Sequence, residues 1–222
     1  MARHQGIISL SGKVGDLIFV NRNGKRYAKS TSTEPVNLSE ASKKSGSDFG
    51  EASRSASKVR KAFAPLIAKY GDDMLVNRLN KRMIEVFKTV PSEFAGNKKL
   101  GQGNIGLLQG FRFNSLVPLD TLLQQPPLFA FDQKGQLQIE LVAAPSNTMF
   151  KQIAKATAIV LQLMVYNLDL NDEENEVIPI NDLVIPLANH QFQGGKLNVE
   201  LNLNGERAAL VGLGKTALFK FR

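Results

Sequence analysis

Two glycine-bearing stretches are where residue type and spacing could first do chemistry: Gly12-Lys13-Val14-Gly15 and GQGNIG at 101–106. A phosphate loop needs successive amides and a lysine between a strand and a helix, in the spacing GxxxxGK[ST]. Gly12-Lys13-Val14-Gly15 leads instead into LIFV, a strand-like run, so no nucleotide site is expected there. GQGNIG fits GxGxxG, but no clear strand precedes it and no long helix follows, and it reads as a loop. The acidic residues Asp169, Asp172, Glu173, Glu174 and Glu176 could offer oxygen ligands to calcium. They lack the D-x-D-x-D-G order and the glutamate at the twelfth place, and read as a solvated hairpin tip.

The remaining reactive residue types are sparse. Without cysteine, the chain has no disulfide, no thiolate nucleophile and no cysteine-based zinc or iron–sulfur site. Its histidines are His4, in a terminal arm, and His190, in a polar loop, so neither metal binding nor a serine–histidine pair is expected. No GxSxG elbow occurs. The expectation is a non-enzyme with no catalytic residue, no metal and no cofactor.

Charge is the stronger signal. The formal net charge is +8, and residues 1–110 hold 19 lysines and arginines against 9 acidic residues, whereas residues 111–222 hold 9 against 11. A basic half calls for an acidic partner: nucleic acid, an anionic surface, or the acidic half of a neighbouring copy. The candidate anion or nucleic-acid contacts are Arg22, Lys25 and Arg26 near the N-terminus and Lys58, Arg60, Lys61, Lys81 and Arg82 farther along. No helix-turn-helix, zinc-finger or RNA-recognition signature accompanies them.

The elements that must position these residues follow from periodicity. Residues 14–29 read as a hairpin turning at Asn23-Gly24, with Leu17, Phe19 and Tyr27 on one face and Ile18 and Val20 on the other. Residues 30–47 are polar, serine- and threonine-rich, and read as a linker. Phe49, Ala52, Ala56, Val59, Phe63, Leu66 and Ile67 then recur at helical spacing, with Ser47 or Asp48 as the expected cap and Pro65 as a break. A second helix is predicted from Gly71-Asp72-Asp73 to Pro91, through Met74, Leu75, Leu79, Met83, Val86 and Phe87. After a glycine-rich loop the signal turns to β: 128–131, 137–142, 157–170, 183–187, 197–203, 208–213 and 217–221 are the candidate strands.

The fold class expected is therefore α+β: an N-terminal β-hairpin and a two-helix unit, then a C-terminal antiparallel β-sandwich of immunoglobulin-like size. The divisions are an arm and hairpin at 1–30, a linker at 31–47, a helical hairpin with its glycine-rich loop at 48–115, and the sandwich at 116–222. With 43% hydrophobic residues the chain can bury a normal core. No window approaches the roughly 20 apolar residues of a membrane span, and the N-terminus lacks a signal-peptide stretch. The expected location is cytoplasmic, or inside a released particle.

The order GKVGDLIFVNRNGKRYAKS, a polar stretch, SGSDFGEASRSASKVRKAFAPLI and then LLQGFRFN resembles an uncharacterised protein family common in Bacteroidota genomes and prophage-like regions. The resemblance covers about the first 115 residues. It implies a shared architecture, two helices and a sandwich-like half after the hairpin, and it implies no activity or catalytic residue. Gly12, Lys13, Val14, Gly15, Asn23, Gly24 and Tyr27 match the family pattern and, with Phe19, are the candidate interface residues. Phe19-Val20 stands where the family often has two aromatic residues.

A short strand apolar on both faces needs a partner sheet, in its own chain or in a neighbour's. The function expected is a self-assembling structural protein, a homo-oligomeric subunit of a filament, tube, shell or phage-like particle, held through the N-terminal hairpin. Nucleic-acid binding by the basic half is the rival expectation.

Overall fold

The structure is a computed structural model that describes residues 2–3, 10–22, 24–31, 37–117, 123–150, 155–171, 174–187 and 191–219. The chain is α+β, with helices, several antiparallel sheets and an N-terminal hairpin. It divides into two compact units, Met1–Ser42 and Lys43–Arg222.

The first unit is an antiparallel sheet of β1 (Ala2–Arg3), β2 (Gly12–Val14), β3 (Leu17–Arg22) and β4 (Lys25–Ser30), in the order β1-β4-β3-β2. The single hairpin expected over 14–29 is thus two successive hairpins. Gly12-Lys13-Val14 is itself a strand, and the chain reverses at Gly15-Asp16 because Gly15 adopts φ +57°, a left-handed conformation that glycine reaches without a Cβ clash.

In the second unit, α1 (Glu40–Ala62) has its first three residues inside the other unit's bounds and starts eight positions before Asp48. Ser39 makes the start, its Oγ accepting the Ser42 N–H at 3.2 Å as an N-cap accepts from the third helical residue. The expected caps do other work. Ser47 donates to the Gly96 carbonyl at 2.9 Å, and Asp48 accepts the Gly96 N–H at 3.0 Å, tying α1 to the loop after the helices. Phe63 separates α1 from α2 (Ala64–Tyr70), the break that Pro65 in the first turn of α2 demands. Next comes α3 (Leu75–Lys88), whose last turn is capped by Lys98, its Nζ donating to the Phe87 carbonyl at 3.0 Å. Phe49 and Met74, counted into the apolar stripes, are 57% and 56% exposed, because each lies at or beyond the end of the packed stretch.

Asp72 organises the turn into α3. Its carboxylate accepts from the Met74 N–H (3.0 Å), from Arg78 (2.7 Å) and from the Ser115 N–H and hydroxyl (both 2.8 Å). The Arg78 guanidinium and these further donors hold the Asp72 carboxyl well below the usual carboxylate range. Arg78 also donates to the carbonyls of Arg112 (2.6 Å) and Phe113 (3.2 Å) and lies over the Phe111 ring, so the 111–115 strap is fastened to α3.

The remaining strands are β5 (Leu128–Phe131), β6 (Leu137–Leu141), β7 (Ala144–Pro145), β8 (Ala156–Asp169), β9 (Glu176–Pro179), β10 (Leu183–Pro186), β11 (Gln191–Phe192), β12 (Gly195–Val199) and β13 (Arg207–Phe219). They form the sheets β10-β8-β13, with β9 also on β8, β12-β6-β5, and β11-β7. The two strands expected at 208–213 and 217–221 are one continuous strand, β13; residues 220–221 lie outside the described residues. Gly214-Lys215 is not a turn. Gly212 and Gly214 are the points where α2 and Phe63 just before it press on the sheet: a Cβ on Gly212 would lie 2.7 Å from the Phe63 ring, and one on Gly214 would overlap Tyr70.

Period-2 alternation on β8 explains two cores. Met164, Tyr166 and Leu168 face the helices, where they pack with Ala56, Phe63, Leu79 and Met83. Ile159, Leu161, Leu163 and Val165 face the other way and pack with Leu137, Ile139 and Leu141 of β6 and Val199 of β12. Tyr70 locks the helical layer on, its hydroxyl donating to Gln162 at 2.6 Å and bonding Thr216 at 2.7 Å. Among the described residues, no helix is long and apolar enough to cross a membrane.

Candidate functional site

The N-terminal sheet carries most of the sequence-predicted interface residues, and its register decides which of them act together. Cross-strand partners share a face. Two residues separate β3 from β4, so positions of opposite parity pair: Phe19 with Ala28, Val20 with Tyr27 and Arg22 with Lys25. Asn23 lies outside the described residues, and Gly24 has φ +72°.

One face therefore carries Val14, Leu17, Phe19 and Ala28, together with Gly12, Asn21, Arg26 and Ser30. The other carries Ile18, Val20 and Tyr27, with Lys13, Arg22, Lys25 and Lys29 around them. Tyr27 is thus opposite to its expected position beside Leu17 and Phe19. The two-residue turn, which changes parity between the strands, is the reason.

No described side chain of this unit is buried. Val14 is 58% exposed and Leu17 44%, while Ile18, Phe19, Val20 and Tyr27 are half-buried. A sheet normally buries one face against a second layer. The basic face has its own cost, because Arg22 and Lys25 stand directly opposite one another and like charges in that position repel. No residue of β1 to β4 is acidic.

The cations expected to act together come from both units. Arg22 and Lys25 share the basic face, and Arg26 is on the apolar one. Lys58, Arg60, Lys61, Lys81 and Arg82 belong to α1 and α3 in the second unit. Among them, Arg60 donates to Asn80 at 3.0 Å, joining α1 to α3, and Arg82 pairs with Glu85 at 3.2 Å.

The other motifs are used structurally. GQGNIG runs through short 3-10 turns at Leu100–Gln102 and Ile105–Leu108, following α3 rather than a strand. At the acidic tip, Asp169 accepts the N–H groups of Asn171 (2.9 Å) and Glu174 (3.2 Å) and lies 3.9 Å from Arg207, with both side chains buried. Asp172 and Glu173 lie outside the described residues, as do His4 and His190.

A buried cation missed by sequence reading lies on β13. Lys215, in mid-strand, is 9% exposed, and burial lowers its pKa. The signal available was a lone lysine inside an apolar run, which reads equally well as a turn.

No protein-family model, curated protein or solved structure matches this chain.

Proposed function

We propose that the protein is a non-enzymatic structural subunit that assembles with copies of itself through its N-terminal sheet, as part of a filament, tube, shell or phage-like particle. The observation that carries this reading is the apolar face of Val14, Leu17, Phe19 and Ala28 in a unit with no buried described side chain. Packing that face on the same face of a second copy would remove Val14 and Leu17 from water, a gain of about 1.5–3 kcal/mol for each side chain fully buried. The short strand β2 at the sheet edge offers a further place for strand pairing. The test is particle mass by light scattering for the full chain and for Leu17→Asp. A large particle reduced to monomer by the substitution supports the reading, and a monomeric parent protein defeats it.

The opposite face favours a second reading. Lys13, Arg22, Lys25 and Lys29 surround Tyr27, an arrangement suited to phosphates with a base stacked on the ring. A polyanion seated there would relieve the repulsion between Arg22 and Lys25. Binding of a single-stranded oligonucleotide tests it.

A further inference from the structure

Residues 211–215 of β13 line a cavity of about 720 Å³ in the second unit, within the range of small-molecule sites, about 300–1,000 Å³. Successive side chains of a strand point to opposite faces, so a cavity lined by five consecutive residues runs along the edge of the strand rather than over one face. β13 is the last strand of the sheet β10-β8-β13, and among the described residues it pairs only with β8.

The register tells which main-chain groups point out of that edge. In an antiparallel pair, residues alternate between exchanging both hydrogen bonds with the partner strand and turning both groups away from it. Leu170 donates its N–H to the Glu206 carbonyl at 2.9 Å, next to the pair Asp169 and Arg207, so even-numbered residues of the two strands bond one another. Odd-numbered residues point outward: the Leu163 carbonyl accepts the Ile180 N–H at 3.2 Å, on the β9 side of β8, and Leu163 stands opposite Leu213. Val211 and Leu213 therefore turn N–H and C=O away from β8, along the cavity, and among the described residues these groups have no hydrogen-bond partner.

Aromatic rings stand beside this edge. Phe111 and Phe113 lie edge to face with ring centres 6.4 Å apart, and Phe129, on β5, is 50% exposed. Three polar side chains of the wall are bonded within the protein: Lys69 to Gln162 at 2.6 Å, Tyr70 to Gln162 and Thr216, and Asn114 to the N–H groups of Leu116 and Val117. The strand edge adds a neutral donor and a neutral acceptor side by side on one residue.

We propose that this cavity binds an uncharged planar ring compound whose rim carries an amide-like donor beside an acceptor, as a lactam does. The rim pairs with the N–H and C=O of Leu213, the middle residue of the five, as a neighbouring strand would, and the phenylalanine rings pack on the ring system. Such an occupant gives the outward main-chain groups partners and takes the Phe129 ring out of water.

The test uses the full chain and two fluorescent probes, 2-quinolinone, which has the lactam N–H, and its N-methyl derivative, which lacks it. The expected result is binding of 2-quinolinone about tenfold tighter than that of the methylated compound. Leu213→Pro removes the outward N–H without removing a bond to β8, a place where an edge strand accepts proline. In that variant the two affinities should come within about twofold of each other. If Leu213→Pro does not fold, Phe129→Ala decides, with an expected loss of about fivefold for 2-quinolinone. Absence of 2-quinolinone binding, equal affinity for the two probes in the parent, or an unchanged result in the deciding variant overturns the proposal.

Discussion

Asp72 and Arg78 are joined at 2.7 Å, and the same guanidinium holds the carbonyls of Arg112 and Phe113, so one ion pair fastens the strap after the helices to the start of α3. Asp72 contributes stability because its charged form has more partners in the folded chain than in the unfolded one. Its folded pKa is depressed, chiefly by Arg78 and then by the Ser115 N–H. That contribution is complete above the ordinary carboxylate value, near 3.8, and drains away as the pH falls toward the lower folded value. Denaturation followed from pH 7 to pH 2 should show the parent losing more stability than Asp72→Asn, which has no carboxylate to protonate there. Parallel curves would mean that the pair carries none of the acid sensitivity.

Close approach at β13 predicts an intolerance to one methyl group. In Gly212→Ala the new Cβ would lie 2.7 Å from the Phe63 ring and 2.9 Å from Leu66 Cδ1, and the cost is about 1–3 kcal/mol. Gly195→Ala, on β12 with nothing within 4 Å, should stay within about 0.5 kcal/mol of the parent. Thermal melts of the two variants compare these outcomes directly, and equal melting temperatures would contradict the packing.

Removal of residues 1–30 takes away β1 to β4 and leaves both hydrophobic cores, which lie in 43–222. The truncated chain should keep its far-ultraviolet circular dichroism per residue while its particle mass falls to that of a monomer. A particle of unchanged subunit number would place the assembly contacts elsewhere.

For the basic face, affinity for a random single-stranded oligonucleotide should fall steeply between 50 and 200 mM salt. Lys25→Glu with Lys29→Glu should flatten the logarithmic salt slope by about one to two units. Absence of binding at the lower salt would dismiss this reading.

Local pattern was legible wherever one residue type left one option. Pro65 had to end α1, the three- and four-residue steps through Leu79, Met83 and Val86 had to form a helix, and apolar residues on both faces of β8 required cover on both. Features set by partners distant in sequence were not. Gly214 reads as part of a break between two strands, because nothing near Gly212 or Gly214 in sequence announces Phe63 and Tyr70. The face of Tyr27 hung on counting a turn, and the early start of α1 on a serine among several. Lys13, Arg22 and Lys25 could be picked out by charge, but only the register separates them from Arg26.

The pairing of β8 with β13 runs from Asp169 opposite Arg207 to Ala156 opposite Phe219, and β8 supplies a wall to both hydrophobic clusters. Neither the helical layer nor the second sheet can complete its packing before these sequence-distant strands meet. Such a chain must close a long loop before most of its contacts reward it, which makes the search slow and the final step shared. Both cores should then be gained and lost in a single cooperative event.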